Sequence, residues 1–159
     1  MKIFHNVTPA GDEYFKLSGY LQLPETAQPV DPGTNGFAFF VTDQPGRNIF
    51  IRRELPPGAE RWKQLKRFWV YSDPTGSVGG IKKASIISIP LKGPNFYKIT
   101  VTAPKGDFLL SASKLPVNLA IVMGGPAQAI DGLCATVQFN PPTGPLPACR
   151  AIGSVLICH

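Results

Sequence analysis

The sequence predicts an all-β protein, an antiparallel β-sandwich, and three observations carry that expectation. Apolar and polar residues alternate with a period of two in segment after segment, as half-buried strands require. Gly and Pro are abundant, 16 and 17 residues, and they punctuate those segments at the spacing of short strands joined by turns. No stretch between them has the length and periodicity of a crossover helix, which argues against a parallel α/β sheet. A chain of 159 residues suits one domain with its own core and is short for two.

Residues 1–13 read as an N-terminal arm and residues 14–159 as a single domain. The first strand, EYFKLSGYLQL, sets Tyr14, Lys16, Ser18 and Tyr20 against Phe15, Leu17 and Leu21, with Gly19 as a candidate bulge. PVDPGTNG turns the chain through Asp31-Pro32-Gly33 and Asn35-Gly36. FAFFVTD and NIFIRREL then form a hairpin over Gln44-Pro45-Gly46.

PPGAERWKQLKRFWVYSDPTG fits two templates. Ala59, Trp62, Leu65 and Trp69 would share a helical face, whereas Phe68 and Val70 alternate with Trp69 and Tyr71 as on a strand. A short turn or helical turn followed by a strand over 67–72 reconciles them, and Asp73-Pro74-Thr75-Gly76 ends it. GGIKKASIISIP and NFYKITVTAP follow, the second with Tyr97, Ile99 and Val101 opposite Lys98, Thr100 and Thr102. LPVNLAIVMGG keeps Val117, Leu119 and Ile121 in phase, and LCATVQFN and CRAIGSVLICH complete the series. The total is about nine strands, the pattern of an immunoglobulin-like or jelly-roll-like sandwich.

The succession KLSGYLQLP, NGFAFFVTD, GIKKASI, YKITVTAPKGD and LPVNLAIVM, followed by Cys134, Phe139 and two more cysteines, resembles a β-rich module of unassigned function. Such modules occur in large secreted and surface proteins of bacteria. The resemblance covers residues 14–159 and implies an extracellular, structural or adhesive role with no catalytic residues. It departs at Cys134-Ala135-Thr136, where that module carries Cys-Gly and an acidic residue.

All three cysteines, Cys134, Cys149 and Cys158, fall near the C-terminus. With Gly153-Ser154 as a two-residue type II′ turn, Ile152 faces Val155, Ala151 faces Leu156, Arg150 faces Ile157 and Cys149 faces Cys158. Counting outward from a hydrogen-bonded 152/155 pair puts 149/158 at a non-hydrogen-bonded position, where opposing Cβ atoms come closest. Cys149–Cys158 is thus the first-choice disulfide and Cys134 the odd thiol. A bridge from Cys134 to either partner, and three reduced buried thiols, are the competing readings. A zinc site is disfavoured because the cysteine gaps are long and Cys158 and His159 alternate on a strand. The same alternation speaks against a Cys–His dyad, and His5 lies in the arm.

A net charge of +6 permits polyanion binding without requiring it. The densest basic and aromatic stretch contributes Arg52, Arg53, Arg61, Trp62, Lys63, Lys66, Arg67 and Trp69, a candidate surface for acidic glycan or nucleic acid. The simpler reading puts the tryptophans in the core and lets the basic stems cover its edge. GSVGGIKK lacks the spacing of a phosphate loop and reads as a turn feeding a strand. No catalytic constellation, metal set or cofactor motif is recognisable.

The expected function is therefore a non-catalytic structural or adhesive module, with a protein partner or self-assembly ahead of a glycan or nucleic acid. The alternative is a carbohydrate- or polyanion-binding module built on residues 52–71. A secreted or cell-surface location is expected, although MKIFHNVTPAGDEYF has no apolar core of a signal peptide and a cytosolic chain stays open. No apolar run is long enough to span a bilayer.

Overall fold

The computed structural model describes residues 1–4, 13–27, 29–58, 60–106, 108, 110–124, 133–152 and 154–159. Among them lie twelve strands. The first six are β1 (Lys2–Phe4), β2 (Glu13–Gln22), β3 (Phe37–Asp43), β4 (Ile49–Leu55), β5 (Trp62–Leu65) and β6 (Phe68–Ser72). The others are β7 (Lys83–Ser88), β8 (Phe96–Gly106), β9 (Val117–Val122), β10 (Cys134–Phe139), β11 (Cys149–Ile152) and β12 (Val155–Cys158). They pair antiparallel into an eight-stranded sheet, ordered β11-β12-β1-β2-β8-β7-β6-β5, and a four-stranded sheet, ordered β10-β9-β3-β4. One helical turn, α1 (Pro32–Asn35), replaces the expected Asp31–Gly36 turn, with Asp31 Oδ1 accepting from Thr34 N at 3.0 Å.

The sheets close on one another through the alternating apolar rows. Phe15, Leu17 and Leu21 of β2, Ile99 and Val101 of β8, Phe37, Phe39 and Val41 of β3, and Val117 and Leu119 of β9 are all buried in one cluster. At its centre the Phe15 ring lies on Phe39 of the other sheet, with centroids 4.7 Å apart and planes 10° from parallel. Farther along, Phe37 meets Trp62 edge-on, and Trp62 leans on Tyr71. The sandwich that the periodicity predicts is the observed fold.

Three local expectations change. Gly19 is not a bulge: β2 and β8 stay in register through Gly19↔Ile99, and the irregularity lies between Glu13 and Tyr14. Gly19, in phase with the inward row of β2 but itself exposed, borders an apolar cavity of about 100 Å³ lined by Leu17, Leu21, Ile99 and Ile121. The segment read as a turn before residue 67 forms β5, which pairs Trp62↔Tyr71 through Leu65↔Phe68. Its hairpin turn holds Lys66 at φ 50°, left-handed backbone that glycine ordinarily signals, so no turn residue marked it. Lys2–Phe4, assigned to the arm, is a strand between β12 and β2. His5 lies outside the described residues.

Register makes neighbours in β3 energetically unequal, because successive side chains point to opposite faces. Phe39→Ala should lower the unfolding free energy by about 3–5 kcal/mol. Phe40→Ala, which removes a half-buried ring on the outer face, should cost under about 1.5 kcal/mol. Urea titration of both variants checks this, and a reversed order would show the strand one residue out of register.

Candidate functional site

The eight basic and aromatic residues singled out in the sequence are divided among several surfaces. Arg52 points off the outer face of the four-stranded sheet, ion-paired to Glu54 at 2.8 Å with both side chains exposed. Arg53, one residue on, turns inward beside Ile51 and Leu55. Its guanidinium lies 5.0 Å over the Phe108 ring and donates to Arg52 O at 2.8 Å, while its Nε has no partner. Burial lowers the Arg53 pKa from its ordinary value. Trp62 is buried and Trp69 half-buried against the core. Of the eight, only Lys63, Lys66 and Arg67 are exposed without an ion-pair partner among the described residues. Alternation thus sends Arg52 and Lys63 outward and Arg53 and the two tryptophans inward.

Arg61 is occupied by Asp73, a residue the sequence marked only as a turn former. The Asp73 side chain is wholly buried. Oδ1 accepts from Arg61 Nη1, from Thr75 N at 3.0 Å and from Thr75 Oγ1 at 2.6 Å. Oδ2 accepts from Ser77 N at 2.8 Å and Ser77 Oγ at 2.7 Å. Burial works against the charge, but the bonds from Thr75 and Ser77 outweigh it and hold the carboxyl far below the usual carboxylate range. Burial and the Asp73 charge push the neighbouring Tyr71 hydroxyl upward, with Arg61 opposing. With both oxygens fully engaged by donors, Asp73 is built to hold a loop rather than to exchange a proton with a substrate.

The C-terminal hairpin has the register read from its sequence: Ile152↔Val155, Ala151↔Leu156, Arg150↔Ile157 and Cys149↔Cys158. Cys149 and Cys158 form a disulfide. Ala148 and His159 exchange two backbone bonds, at 2.9 and 3.0 Å, so the adjacent 149/158 pair is the non-hydrogen-bonded one. Cys158 instead bonds through its N–H and C=O to Met1, both at 2.8 Å. Cys149 N donates to Asn140 O at 2.7 Å and Asn140 N to Pro147 O at 2.9 Å, a bridge that fastens β11 to the end of β10. Cys134, half-buried at the start of β10, stands outside the disulfide.

Among the described residues, no three His, Cys, Asp or Glu side chains converge to hold an ion, and no helix is long and apolar enough to cross a membrane. Comparison with protein-family models, curated proteins and solved structures finds no match.

A carboxyl whose folded-state pKa is depressed contributes stability at all pH above its unfolded value, and that contribution is lost as pH falls toward the folded value. Asp73→Asn should therefore be less stable than the parent at pH 7. The gap between their urea midpoints should narrow as pH drops below about 4. A gap constant from pH 7 to pH 2 would show that the Asp73 charge does not anchor the loop.

The disulfide closes a short loop, with a sequence separation of 9. Chain entropy for such a loop gives about 2.6 kcal/mol. Cys158→Ser should lose roughly that amount in a denaturant titration, and no loss would mean that the hairpin register alone secures the C-terminus.

Proposed function

We propose that the chain is a non-catalytic structural or adhesive β-sandwich module of a secreted or cell-surface protein. The Cys149–Cys158 disulfide carries this reading. Disulfides persist in oxidising compartments, and a core of this size does not need one in order to fold. The resemblance to modules of large bacterial surface proteins agrees with that setting.

The sheet edges support a protein partner or self-assembly. The terminal strands β4, β5 and β11 carry Ile49, Leu65 and Ile152, exposed by 54%, 49% and 51%. An edge strand presents unpaired backbone groups, and apolar side chains beside them favour addition of a further strand or a docked partner.

Beads coated with the native protein should adhere to cell-surface material, and soluble protein should compete. The Ile49→Ser, Leu65→Ser, Ile152→Ser triple variant, which leaves the net charge unchanged, should bring adhesion down toward the level of albumin-coated beads. Adhesion of the native protein no better than albumin would overturn the adhesive role. Alkylation of natively produced protein without reductant should label one cysteine, with residues 149 and 158 linked, whereas three labels would overturn the oxidising setting.

A further inference from the structure

We propose that the outer face of the eight-stranded sheet is a docking surface for an acidic polysaccharide, a chain bearing carboxylate or sulfate groups. This rests on the surface-module reading and assigns that module a ligand and a site. The site is not the 52–71 stretch but a set of residues brought together by strand pairing.

Register aligns one cross-strand row as Arg150, Ile157, Lys2, Lys16, Thr102, Lys83 and Ser72. At ordinary strand spacing these seven positions span roughly 29 Å. A second row places Ser18, Thr100, Ser85, Val70 and Lys63 side by side, and a third places Tyr20, Lys98, Ile87, Phe68 and Leu65. The face thus carries Arg150, Lys16, Lys83, Lys98 and Lys63 with hydroxyls among them, and its third row ends in the apolar Ile87, Phe68 and Leu65.

No side-chain carboxylate among the described residues stands on it. Glu13 and Asp73 are buried, Asp31 and Asp43 accept bonds in turns, Glu54 pairs with Arg52, and Glu25 and Glu60 lie in loops. An ordinary solvated face mixes both signs. Cations with no described carboxylate beside them on the face create a positive potential that attracts an extended polyanion.

Two features favour a sugar polymer over a nucleic acid. Tyr20, 57% exposed, keeps the Lys92 and Lys98 ammonium groups 4.6 and 6.0 Å from its ring centroid. That arrangement offers a pyranose an apolar platform beside cations for its acidic group. The hydroxyl row of Ser18, Thr100 and Ser85 gives neutral hydrogen bonds suited to sugar hydroxyls. Beyond Tyr20 and Phe96, whose centroids are 5.9 Å apart, the face adds only one exposed ring, Phe68, three strands from Tyr20. Its rings thus form no continuous run on which successive bases could stack, and an eight-stranded sheet is too broad to enter a duplex groove. A hollow of about 300 Å³, lined by Lys16, Ser18 and His159 among others, gives the face a concave point of attachment.

The test measures binding of the full chain to size-defined heparin, to polygalacturonate and to duplex DNA of matched charge across a salt series. Heparin or polygalacturonate should bind more tightly than DNA, and affinity should fall linearly with salt on logarithmic axes. Lys16→Glu, Lys83→Glu, Lys98→Glu together should weaken binding by at least about tenfold. Arg52→Glu, Lys66→Glu, Arg67→Glu changes the net charge equally and should weaken it less than about twofold. Where the first triple loses the wild-type circular dichroism spectrum, the Lys→Gln triple at the same positions takes its place.

Equal losses in the two triples would reduce the effect to net charge and overturn the site. Tighter binding to DNA, or no binding to either polysaccharide, would overturn the ligand. Bead adhesion that persists while both polysaccharides fail to bind would leave the surface-module reading standing without this face. Failure of both would remove the two together.

Discussion

The Asp73 carboxylate is a full negative charge with no contact with water, and such a group persists only where donors replace its hydration shell. Meeting that requirement shapes a large part of the molecule. Thr75 and Ser77 must turn back on the residue they follow, which curls the segment between β6 and β7 into a compact loop. The loop is held at its base by Asp73 N donating to Lys82 O at 2.8 Å. Farther round, Gly79, at φ 58°, lies so close to the Glu54 backbone of β4 that any Cβ would collide with it. A loop of the larger sheet is thereby pressed against an edge strand of the smaller one. Arg61 is drawn to the same carboxylate from just before β5, so the outermost hairpin of the large sheet is anchored there as well.

Much of this was legible in the residues, and the parts that were not share a cause. At two turns whose chemistry was explicit the local structure follows it, whereas the Asp31–Gly36 turn signal yields a helical turn instead. Asp43 accepts from Arg47 N, Asn48 N and Asn48 Nδ2 to close the β3–β4 hairpin over Pro45-Gly46. The pairing of Ile152 with Val155 sets the register that brings Cys149 and Cys158 together. Where a turn is made by Lys66 in left-handed backbone, the strand before it leaves no signature. The placement of β1 between β12 and β2 depends on contacts across almost the whole chain, which no local pattern encodes.

The same distinction separates the binding segment seen in the sequence from the surface seen in the fold. Residues 52–71 are dense in cations and rings, but a strand sends neighbours to opposite faces, and the two tryptophans go inward with the core. Arg52 and Arg53 diverge, and Arg61 is engaged by Asp73. Contiguity along the chain therefore overstated that cluster. Lys16, Lys83 and Arg150 are far apart in sequence, each unremarkable alone, and become a line only when β2, β7 and β11 share a sheet.

That line runs against folded-state electrostatics. Lys16 and Lys83 flank Thr102 in one cross-strand row, like charges with only a hydroxyl between them, an arrangement that disfavours the sheet when both are charged. A glutamate at an intervening hydroxyl position would relieve it by supplying an opposite charge across the strands. The chain instead uses its carboxylates to fasten turns, to pair Arg52 and to anchor the Asp73 loop. Repulsion that neither packing nor turn geometry requires is relieved when an external anion supplies the missing charge. The absence of described carboxylates is then better understood as a property of the face than of any one lysine, because each cation contributes most when its neighbours are cations too.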